Sequence, residues 1–457
     1  MIALGLGVVV RVIVAIAFPP AIIFSDGPRY LAFLETLAPD SHRPVGYGVL
    51  LLYPLSWITD TVLAVTLAQH ALGLVTAVLL YMLLRRWTVG RRLAMLATLP
   101  VLFDTMQLFL EQAVLSDALF VFLVTAGLGA LGWRRRPGAL LALLGGLLLG
   151  LSATVRQVGL PLVLAGLVYC LLAGPHWRAR LITAVAVVVG FATPVGTYMA
   201  WYHGEHGVYA LSELGPRSWY MRTTAFVDCT QLSVPNYQQV LCPTEPRGER
   251  HDPTYYGWDD QQTLPRLDPP SGTTENEALS DFARSAIRAQ PGDYALVVMR
   301  DFTLNFDPVR LNRFEFDTAQ RWRFSSYMPP EPTERLRTAY AEHGGDQPAA
   351  NQPFASILAG YEWVVYLPGP VLLGCAVIGL AGGFGARQAK HSGMRSICLL
   401  LTVSGIGLIL APAVTTEFVW RYQLPALVLV PPGAALGYTA IRGGQARGGT
   451  VATPSTD

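Results

Sequence analysis

Residues 139–155 read ALLALLGGLLLGLSATV, a run of apolar and small residues without a charge. Three arginines, Arg134 to Arg136, stand shortly before the run, and Arg156 follows it directly. About 17 to 25 apolar residues are enough for a helix to cross the hydrocarbon core of a bilayer. The stretch therefore predicts a short membrane-spanning helix with basic residues at both ends.

The same pattern recurs along the whole chain. With 139–155, ten spans are predicted; the other nine are 2–23, 62–84, 93–110, 113–132, 158–174, 181–202, 360–383, 396–414 and 422–441. The chain is 52% hydrophobic and 14% charged, whereas soluble domains carry about 25% charged residues. We therefore predict an all-α polytopic membrane protein with about ten transmembrane helices. Segment 44–58, which Pro54 interrupts, is predicted to be a re-entrant or interfacial helix.

Basic residues are distributed unequally between alternate connections. One side holds fourteen, namely Arg85, Arg86, Arg91, Arg92, Arg134, Arg135, Arg136, Arg178, Arg180, Arg387, Lys390, Arg395, Arg442 and Arg447. The short loops of the opposite side hold four, namely Arg29, Arg43, Arg156 and Arg421. The positive-inside rule makes the first side cytoplasmic, so both termini are predicted inside a plasma membrane. Arg11 interrupts the first run, which favours an uncleaved anchor over a cleaved signal peptide.

The basic residues themselves are almost all arginine. Lys390 is the only lysine among the 33, a bias that indicates a GC-rich bacterial genome more than phosphate binding. The net charge of +2 gives no reason to expect a nucleic-acid partner.

The predicted topology divides the chain into four parts. A transmembrane core (1–203) includes a first outer loop at 24–61, and a large extracytoplasmic loop (204–353), C-terminal helices (354–441) and a cytoplasmic tail (442–457) follow. In the large loop, residues 276–290 place Leu279, Phe282, Ala283, Ala286 and Ile287 on one helical face, which predicts a surface helix lying on the membrane and ending at Pro291-Gly292.

The five cysteines fall into two groups. Cys170, Cys375 and Cys398 lie in apolar runs and are interpreted as inert small hydrophobic residues. Cys229 and Cys242 lie in the large loop and would pair if that loop is outside the cell.

Charged residues from distant parts of the chain stand at the predicted outer ends of the spans. The motifs are Ser25-Asp26-Gly27-Pro28-Arg29-Tyr30, His42-Arg43-Pro44-Val45-Gly46-Tyr47, Ser116-Asp117, Thr154-Val155-Arg156-Gln157 and Arg421-Tyr422. Arginines among carboxylates at a bilayer surface make a site where a phosphate can lie beside a base. We predict that Asp26 is the catalytic residue of a membrane enzyme.

Alternatives stay open for the individual residues. Glu35, Asp104 and Glu417 are interpreted as solvated loop residues or helix caps, and Glu111 as a possible accessory acid. Asp117 lies in an apolar run, where a charge is functional or else bonds another helix. Arg156 and Arg421 would otherwise extend to the lipid interface.

As an ordered set, these motifs resemble those of the GT-C glycosyltransferases. This superfamily includes protein O-mannosyltransferase-like and aminoarabinose-transferase-like membrane enzymes of the family 39 type. The resemblance continues through Ser116–Phe120, Thr154–Leu160 and Arg421–Pro425. Two departures stand out: Gly27 replaces the second acid of the usual pair, and Val45 replaces the second of two prolines.

The resemblance implies an inverting transfer of a sugar, such as mannose or arabinose, from a polyprenyl phosphate. Asp26 would accept the proton of an extracytoplasmic acceptor, which is a protein, a glycan, a lipid or a natural product. The implied donor-binding residues are Arg29, Tyr30, His42, Arg43, Tyr47, Asp117, Arg156, Arg421 and Tyr422. Because the second acid is missing, no cofactor or metal is expected to be required, although a divalent cation is an alternative. A zinc site at His203, Glu205 and His206 is another alternative, against ordinary loop histidines.

Two functions from other classes compete with the enzyme. A transporter or lipid flippase should show paired half-repeats and polar groups at the middle of the membrane, and no repeat is found in the sequence. A non-catalytic scaffold would also fit the missing second acid.

Overall fold

The computed structural model describes residues 2–173, 176–258, 264–312, 319–327, 338, 341–342, 349–385 and 394–448. Within these ranges the chain forms helices and no strand, and Ile22 and Ala113 make one isolated parallel bridge. The predicted all-α class is therefore confirmed for the described part of the chain.

The α-helices follow one another in three groups. The first is α1 (Ile2–Ala17), α2 (Gly27–Thr36), α3 (Tyr53–Ser56), α4 (Val62–Arg86), α5 (Arg91–Phe103), α6 (Thr105–Gln112), α7 (Asp117–Gly132), α8 (Ala139–Val155), α9 (Leu162–Ala173) and α10 (Trp177–His206). The large loop carries α11 (Leu214–Thr224), α12 (Pro253–Trp258), α13 (Glu275–Ala289) and α14 (Pro291–Leu304). The last group is α15 (Phe354–Tyr361), α16 (Gly369–Phe384), α17 (Met394–Thr415) and α18 (Leu424–Gly448).

Short helices of other types connect these elements. A π-helix, Gly48–Leu52, leads into α3, and 3₁₀ turns lie at Gln157–Gly159, Cys229–Gln231, Asn236–Leu241, Leu264–Arg266, Ala319–Trp322 and Trp420–Gln423.

Several helices are long and apolar enough to cross a membrane. By length and composition these are α4, α10, α17 and the segment Trp420–Arg442, with α5 and α6 as a fifth span if the bent pair counts as one. Five apolar segments are shorter, namely α1, α7, α8, Gln157–Ala173 and α16. The number of ten spans and their orientation stay predictions. Of the basic residues used for orientation, Arg387, Lys390 and the side chain of Arg447 lie outside the described residues, as does most of the predicted tail.

The predicted span 93–110 is not one continuous helix. Helices α5 and α6 meet at a bend of 44°. Pro100 lies inside α5, and Asp104 ends α5 in an extended conformation while its side chain accepts a hydrogen bond from the Met106 amide. Proline in a helix removes a backbone donor, and aspartate at an N-cap starts a new helix, so the sequence itself causes the break.

Two other predicted spans also differ in length. Helix α1 ends at Ala17 rather than at residue 23, just before Pro19-Pro20. Helix α16 begins at Gly369 rather than at residue 360, because Pro368 and Pro370 favour a helix start there.

Small residues allow the closest helix pair to form. Gly146 of α8 and Gly190 of α10 face the partner backbone so closely that a Cβ on either would overlap a main-chain carbonyl. Small residues at crossing points are a common way for membrane helices to pack. The glycines of residues 139–155 therefore position α8, and with it Arg156.

The large loop has a hydrophobic cluster of its own. Its buried residues are Tyr220, Phe226, Val227, Leu241, Tyr256, Leu279, Phe282 and Ala286. Helix α13 (Glu275–Ala289) confirms the predicted helix, and its apolar face packs into this cluster. That the helix lies on the membrane stays a prediction. Helix α13 ends at Ala289, as the Pro291-Gly292 stop predicts, and Pro291 then begins α14.

Two further contacts fix the large loop. The structure joins Cys229 and Cys242 by a disulfide, and their Cα atoms are 6.1 Å apart. Arg222 of α11 lies 2.6 Å from Asp301 of α14, and its guanidinium also donates to the Ala413 carbonyl of α17. The buried ion pair joins two helices of the large loop, and the hydrogen bond to Ala413 ties the loop to the bundle.

Candidate active site

Asp26 stands at a tight turn between α1 and α2. Ser25 before it has a φ of 54°, in the left-handed region that non-glycine residues rarely adopt. Asp26 takes the N-cap position of α2 but makes no side-chain capping hydrogen bond. An aspartate at this position usually caps the helix, so its carboxylate is left for other partners.

Two arginines from opposite ends of the chain hold this carboxylate. Arg43 Nε lies 3.0 Å from one oxygen of Asp26, and Arg421 Nη2 lies 3.0 Å from the other. The side chain of Arg421 is only 7% exposed, yet its Nε and Nη1 have no hydrogen-bond partner among the described residues. Arg421 therefore has unused donors beside the carboxylate.

The charges around Asp26 determine its ionisation. Burial opposes the charged form, but the positive charges of Arg43 and Arg421 outweigh it, and they hold the pKa of Asp26 well below its usual range. Burial also opposes the charge on Arg43, whose pKa is nevertheless raised by Asp26. Asp26 is thus a carboxylate at physiological pH.

A second ion pair lies in the same cavity. Arg156 Nη1 is 2.5 Å from Asp117 Oδ1, and the guanidinium lies over the rings of Phe120 and Tyr422 at 5.9 Å and 5.4 Å. Asp117 Oδ2 is buried and has no hydrogen-bond partner among the described residues. Asp117 therefore pairs with a charge on another segment, and its part in donor binding stays a prediction.

The first outer loop is fixed to the bundle by its tyrosines and its glycine. Gly46 approaches Thr154 so closely that a Cβ would overlap the Thr154 carbonyl. The Tyr30 hydroxyl lies 3.0 Å from Ser116 Oγ, and the Tyr47 hydroxyl donates to Gln69. The H-R-P-V-G-Y motif is thus held against the end of α8, next to Arg156.

Most of the predicted residues line one cavity of about 360 Å³, which we call the apolar cavity. Its polar lining includes Asp26, Tyr30, His42, Arg43, Asp117, Arg156, Arg421 and Tyr422. Its apolar wall includes Phe120, Leu160, Pro161, Trp219, Leu408, Pro412 and Pro425. The apolar cavity therefore combines a few charged side chains with mainly hydrophobic walls.

A second cavity of about 310 Å³, the polar cavity, shares Asp26, Arg43 and Arg421 with the first. Arg29 lines it, with Thr254, Trp258, Arg321, Trp322 and Glu417. Nothing in the sequence marks Trp258 or Trp322 beyond the richness of residues 204–353 in tryptophan and tyrosine.

The imidazole ring of His42 is neutral in this site. Its Nδ1 lies 2.8 Å from Ser41 Oγ and 3.3 Å from Nη1 of Arg29, and a guanidinium can only donate. Burial and the neighbouring Arg29 lower the pKa of His42. Nδ1 therefore accepts, and the ring proton resides on Nε2.

Two predicted residues do not line either cavity. The Tyr47 ring packs against Tyr30 at a centroid distance of 5.0 Å, so it supports a lining residue. Glu111, predicted as a possible accessory acid, lies in a buried group with Arg11 and His70, each at 2.8 Å. Its carboxylate balances a charge inside the bundle, and an accessory role for it stays a prediction.

Two acids interpreted as solvated residues or caps are buried. Asp104 does cap α6, but it also pairs with Arg310 at 3.2 Å and is 2% exposed. Glu417 is 2% exposed and accepts a hydrogen bond from Thr254 of the large loop. Glu35 is exposed, as interpreted.

The histidines of the zinc alternative are used elsewhere. His203 stacks on Tyr209, and His206 stacks on Tyr202 while its Nε2 lies 2.9 Å from the Pro39 carbonyl. Within the described part of the chain, no three His, Cys, Asp or Glu side chains converge as metal ligands.

Part of the chain matches a known protein family. Residues 56–202 match the family model described as dolichyl-phosphate-mannose-protein mannosyltransferase. The resemblance to GT-C glycosyltransferases of the protein O-mannosyltransferase type is confirmed. The GT-C match covers about a third of the chain and includes Asp117 and Arg156, whereas Asp26, Arg43 and Arg421 lie outside it.

Two solved structures are similar to this chain, both with low TM-scores. The Saccharomyces cerevisiae protein O-mannosyltransferase Pmt1-Pmt2 complex, bound to the sugar donor, has a TM-score of 0.35 at 16% identity, over 50% of this chain and 38% of that one. The Archaeoglobus fulgidus oligosaccharyltransferase AglB, in complex with an inhibitory peptide and a dolichol-phosphate, has a TM-score of 0.40 at 13% identity, over 100% of this chain and 52% of that one. Both scores are too low to carry weight. No curated protein matches the chain.

Proposed function

We propose that the chain is an inverting glycosyltransferase that moves one sugar from a polyprenyl phosphate to an acceptor at the predicted outer membrane face. Mannose and arabinose are the sugars that the resemblance favours. The observation that carries the proposal is the position of Asp26. Its carboxylate lies between Arg43 and Arg421, where the apolar and the polar cavity meet.

The apolar cavity fits the donor. Its wall of Leu160, Leu408 and Pro412 suits the start of a polyprenyl chain. The phosphate would bind Arg421 along a guanidinium edge that includes Nε or Nη1, the donors without a partner, and Arg156 lines the same space. Guanidinium groups bind phosphate by paired charge-assisted hydrogen bonds, which makes arginine suited to this task.

The polar cavity fits the acceptor, because it reaches the same carboxylate from the side of the large loop. Asp26 would accept the hydroxyl proton while the acceptor oxygen forms a bond to C1 of the sugar. The bond from C1 to the phosphate oxygen breaks at the same time, so the sugar is inverted. The products are the glycosylated acceptor, polyprenyl phosphate and a protonated Asp26, which then loses its proton to water.

The arginines match the charge that develops in this step. The donor phosphodiester carries one negative charge, and the departing phosphate monoester gains a second. Arg421 and Arg156 would stabilise that added charge in a site that is largely shielded from water. Tyr30, Tyr422 and the neutral His42 offer hydroxyl and imidazole groups for the sugar. No metal is required in this scheme; a divalent cation stays an alternative.

The acceptor is proposed only as an extracytoplasmic hydroxyl of a protein, glycan, lipid or natural product. Membrane lipids would surround the apolar helices. A transporter or a non-catalytic scaffold would use the same cavities without breaking a bond.

Sugar transfer by Asp26→Asn decides between these functions. Purified wild type and variant would receive labelled mannosyl or arabinosyl polyprenyl phosphates with cell-envelope fractions as acceptors. Loss of the base should reduce transfer by about 10²–10⁴-fold. The exposed Asp60 of the same loop lines neither cavity, so Asp60→Asn is the matched control. Equal transfer by wild type and Asp26→Asn, or none by either, contradicts the proposal.

A further inference from the structure

We propose that the donor phosphate and the Asp26 carboxylate compete for Arg421, so that binding of the donor turns Asp26 into an effective base. This inference rests on the proposed function. It follows from one feature of the site: the base and the predicted phosphate clamp are already bonded to each other.

A carboxylate bonded to two arginines is a poor proton acceptor. Both Asp26 oxygens accept charge-assisted hydrogen bonds at 3.0 Å, and the side chain is only 15% exposed. The arrangement holds the pKa of Asp26 well below its usual range, whereas a general base works best when its pKa is near the ambient pH. Without donor, therefore, Asp26 is ionised but weakly basic.

The unused donors of Arg421 show where an anion would act. Nε and Nη1 have no partner among the described residues, and Nη2 is on Asp26. A phosphate on either of them would share one guanidinium with the carboxylate, and a paired contact would have to include Nη2, which Asp26 occupies. Neighbouring negative charge disfavours an ionised carboxyl group, so the proton affinity of Asp26 would rise. The guanidinium would also hold Asp26 less firmly, which frees an oxygen for the acceptor hydroxyl.

The other charged and titratable groups near Asp26 do not bond its carboxylate as Arg43 and Arg421 do. Across the apolar cavity it faces Tyr30 of α2, the neutral His42, the paired Asp117 and Arg156, and Tyr422 beside Arg421. Across the polar cavity it faces Arg29, Arg321 and Glu417, of which Arg29 is paired with Asp40 at 2.7 Å. Arg43 and Arg421 are the two that contact its carboxylate.

Binding of polyprenyl phosphate, the leaving product, tests the competition directly. Wild type, Asp26→Asn, Arg421→Lys and Asp60→Asn would be compared in detergent, with polyprenol as the uncharged reference ligand. Removing the competing charge in Asp26→Asn should tighten binding by about tenfold, and Arg421→Lys should weaken it by about tenfold. Asp60→Asn should bind like wild type. Thermal unfolding of each variant would show that it is folded.

The outcomes separate the two proposals. If wild type binds polyprenyl phosphate no better than polyprenol, both the proposed function and this inference are wrong. If wild type does bind it but Asp26→Asn binds equally or more weakly, only the inference is overturned.

The pH dependence of transfer gives an independent readout. The ratio kcat/KM for the donor reports ionisations of the free enzyme, and kcat/KM for the acceptor at saturating donor reports those of the donor complex. Asp26 must be deprotonated to act, so activity falls as pH drops through its pKa. We expect this acid limb at higher pH in the donor complex than in the free enzyme. Coinciding limbs would contradict the competition.

Discussion

At the scale of single residues, Asp117 and Arg156 show how a buried charge is kept in the bundle. The pair is joined at 2.5 Å, and the two side chains are 6% and 15% exposed. Aromatic rings on two sides of Arg156 shield it further. Removing one partner of such a pair leaves an unpaired charge in a medium that cannot solvate it.

We therefore predict that Asp117→Asn lowers stability by about 3–5 kcal/mol. Arg156→Gln in the same background should recover most of this loss, because it removes the unpaired charge. The measurement is the thermal unfolding midpoint of the two single variants and the double variant in one detergent. Additive losses in the double variant would show that the two side chains do not act as a pair.

The sequence predicts these residues better than it predicts their partners. Asp26, Asp117, Arg156 and Arg421 are recognisable because charges at the ends of apolar runs are rare and need a reason. Trp258 and Trp322 lie in parts of the large loop that show no helical periodicity in the sequence. Nothing therefore places them beside Asp26 before the fold is known. Glu111 has the same sequence signature as Asp117, yet its partners are Arg11 and His70 on other helices, which no spacing reveals.

At the scale of helices, Arg222 joins two helices of the large loop to each other and to the bundle. Arg222 of α11 and Asp301 of α14 are 0% and 1% exposed, and Arg222 also bonds the Ala413 carbonyl of α17. Helix α11 also supplies Trp219 to the apolar cavity and Ser218 to both cavities. The pair therefore sets the position of a wall of the site.

We predict that Arg222→Met loosens the large loop. Loss of this buried partner should cost about 3–5 kcal/mol, whereas Arg217→Met on the same helix should cost about 1 kcal/mol or less, because its pair with Glu275 is partly exposed. Limited proteolysis of the loop and thermal unfolding would measure both effects. Equal protease sensitivity of the two variants would rule out an anchoring role for Arg222.

Helix boundaries could be predicted only where local chemistry sets them. Apolar length gave α4, α10 and α17 to within a few residues. The apolar run 93–110 predicts one span, but the structure breaks it between α5 and α6. Pro100 and Asp104 are the residues that indicate this break in the sequence. The periodicity of residues 276–290 predicts α13, but amphipathicity alone does not show that its apolar face meets the cluster of the large loop.

At the scale of the whole molecule, the orientation in the membrane is the central expectation. The unequal distribution of arginines predicts that the large loop lies outside and the loop at Arg134–Arg136 inside. Both loops offer exposed positions for labelling, at Ser271 and at Arg135.

We predict that a cysteine at Ser271→Cys reacts with a membrane-impermeant maleimide on intact cells. A cysteine at Arg135→Cys should react only after the cells are lysed, because its loop is predicted inside. The wild-type protein serves as the control for labelling of native thiols. The reverse pattern would invert the topology and place Asp26 on the cytoplasmic face.

The contact between Arg421 and Asp26 also has a consequence for biosynthesis. It joins residues 395 positions apart, so one enters the membrane early in translation and the other near its end. Until Trp420–Gln423 has been made and docked, Arg43 is the one arginine of the described residues on this carboxylate, and neither cavity has its Arg421 wall. The two cavities are therefore completed only when one of the last segments of the chain packs against one of the first.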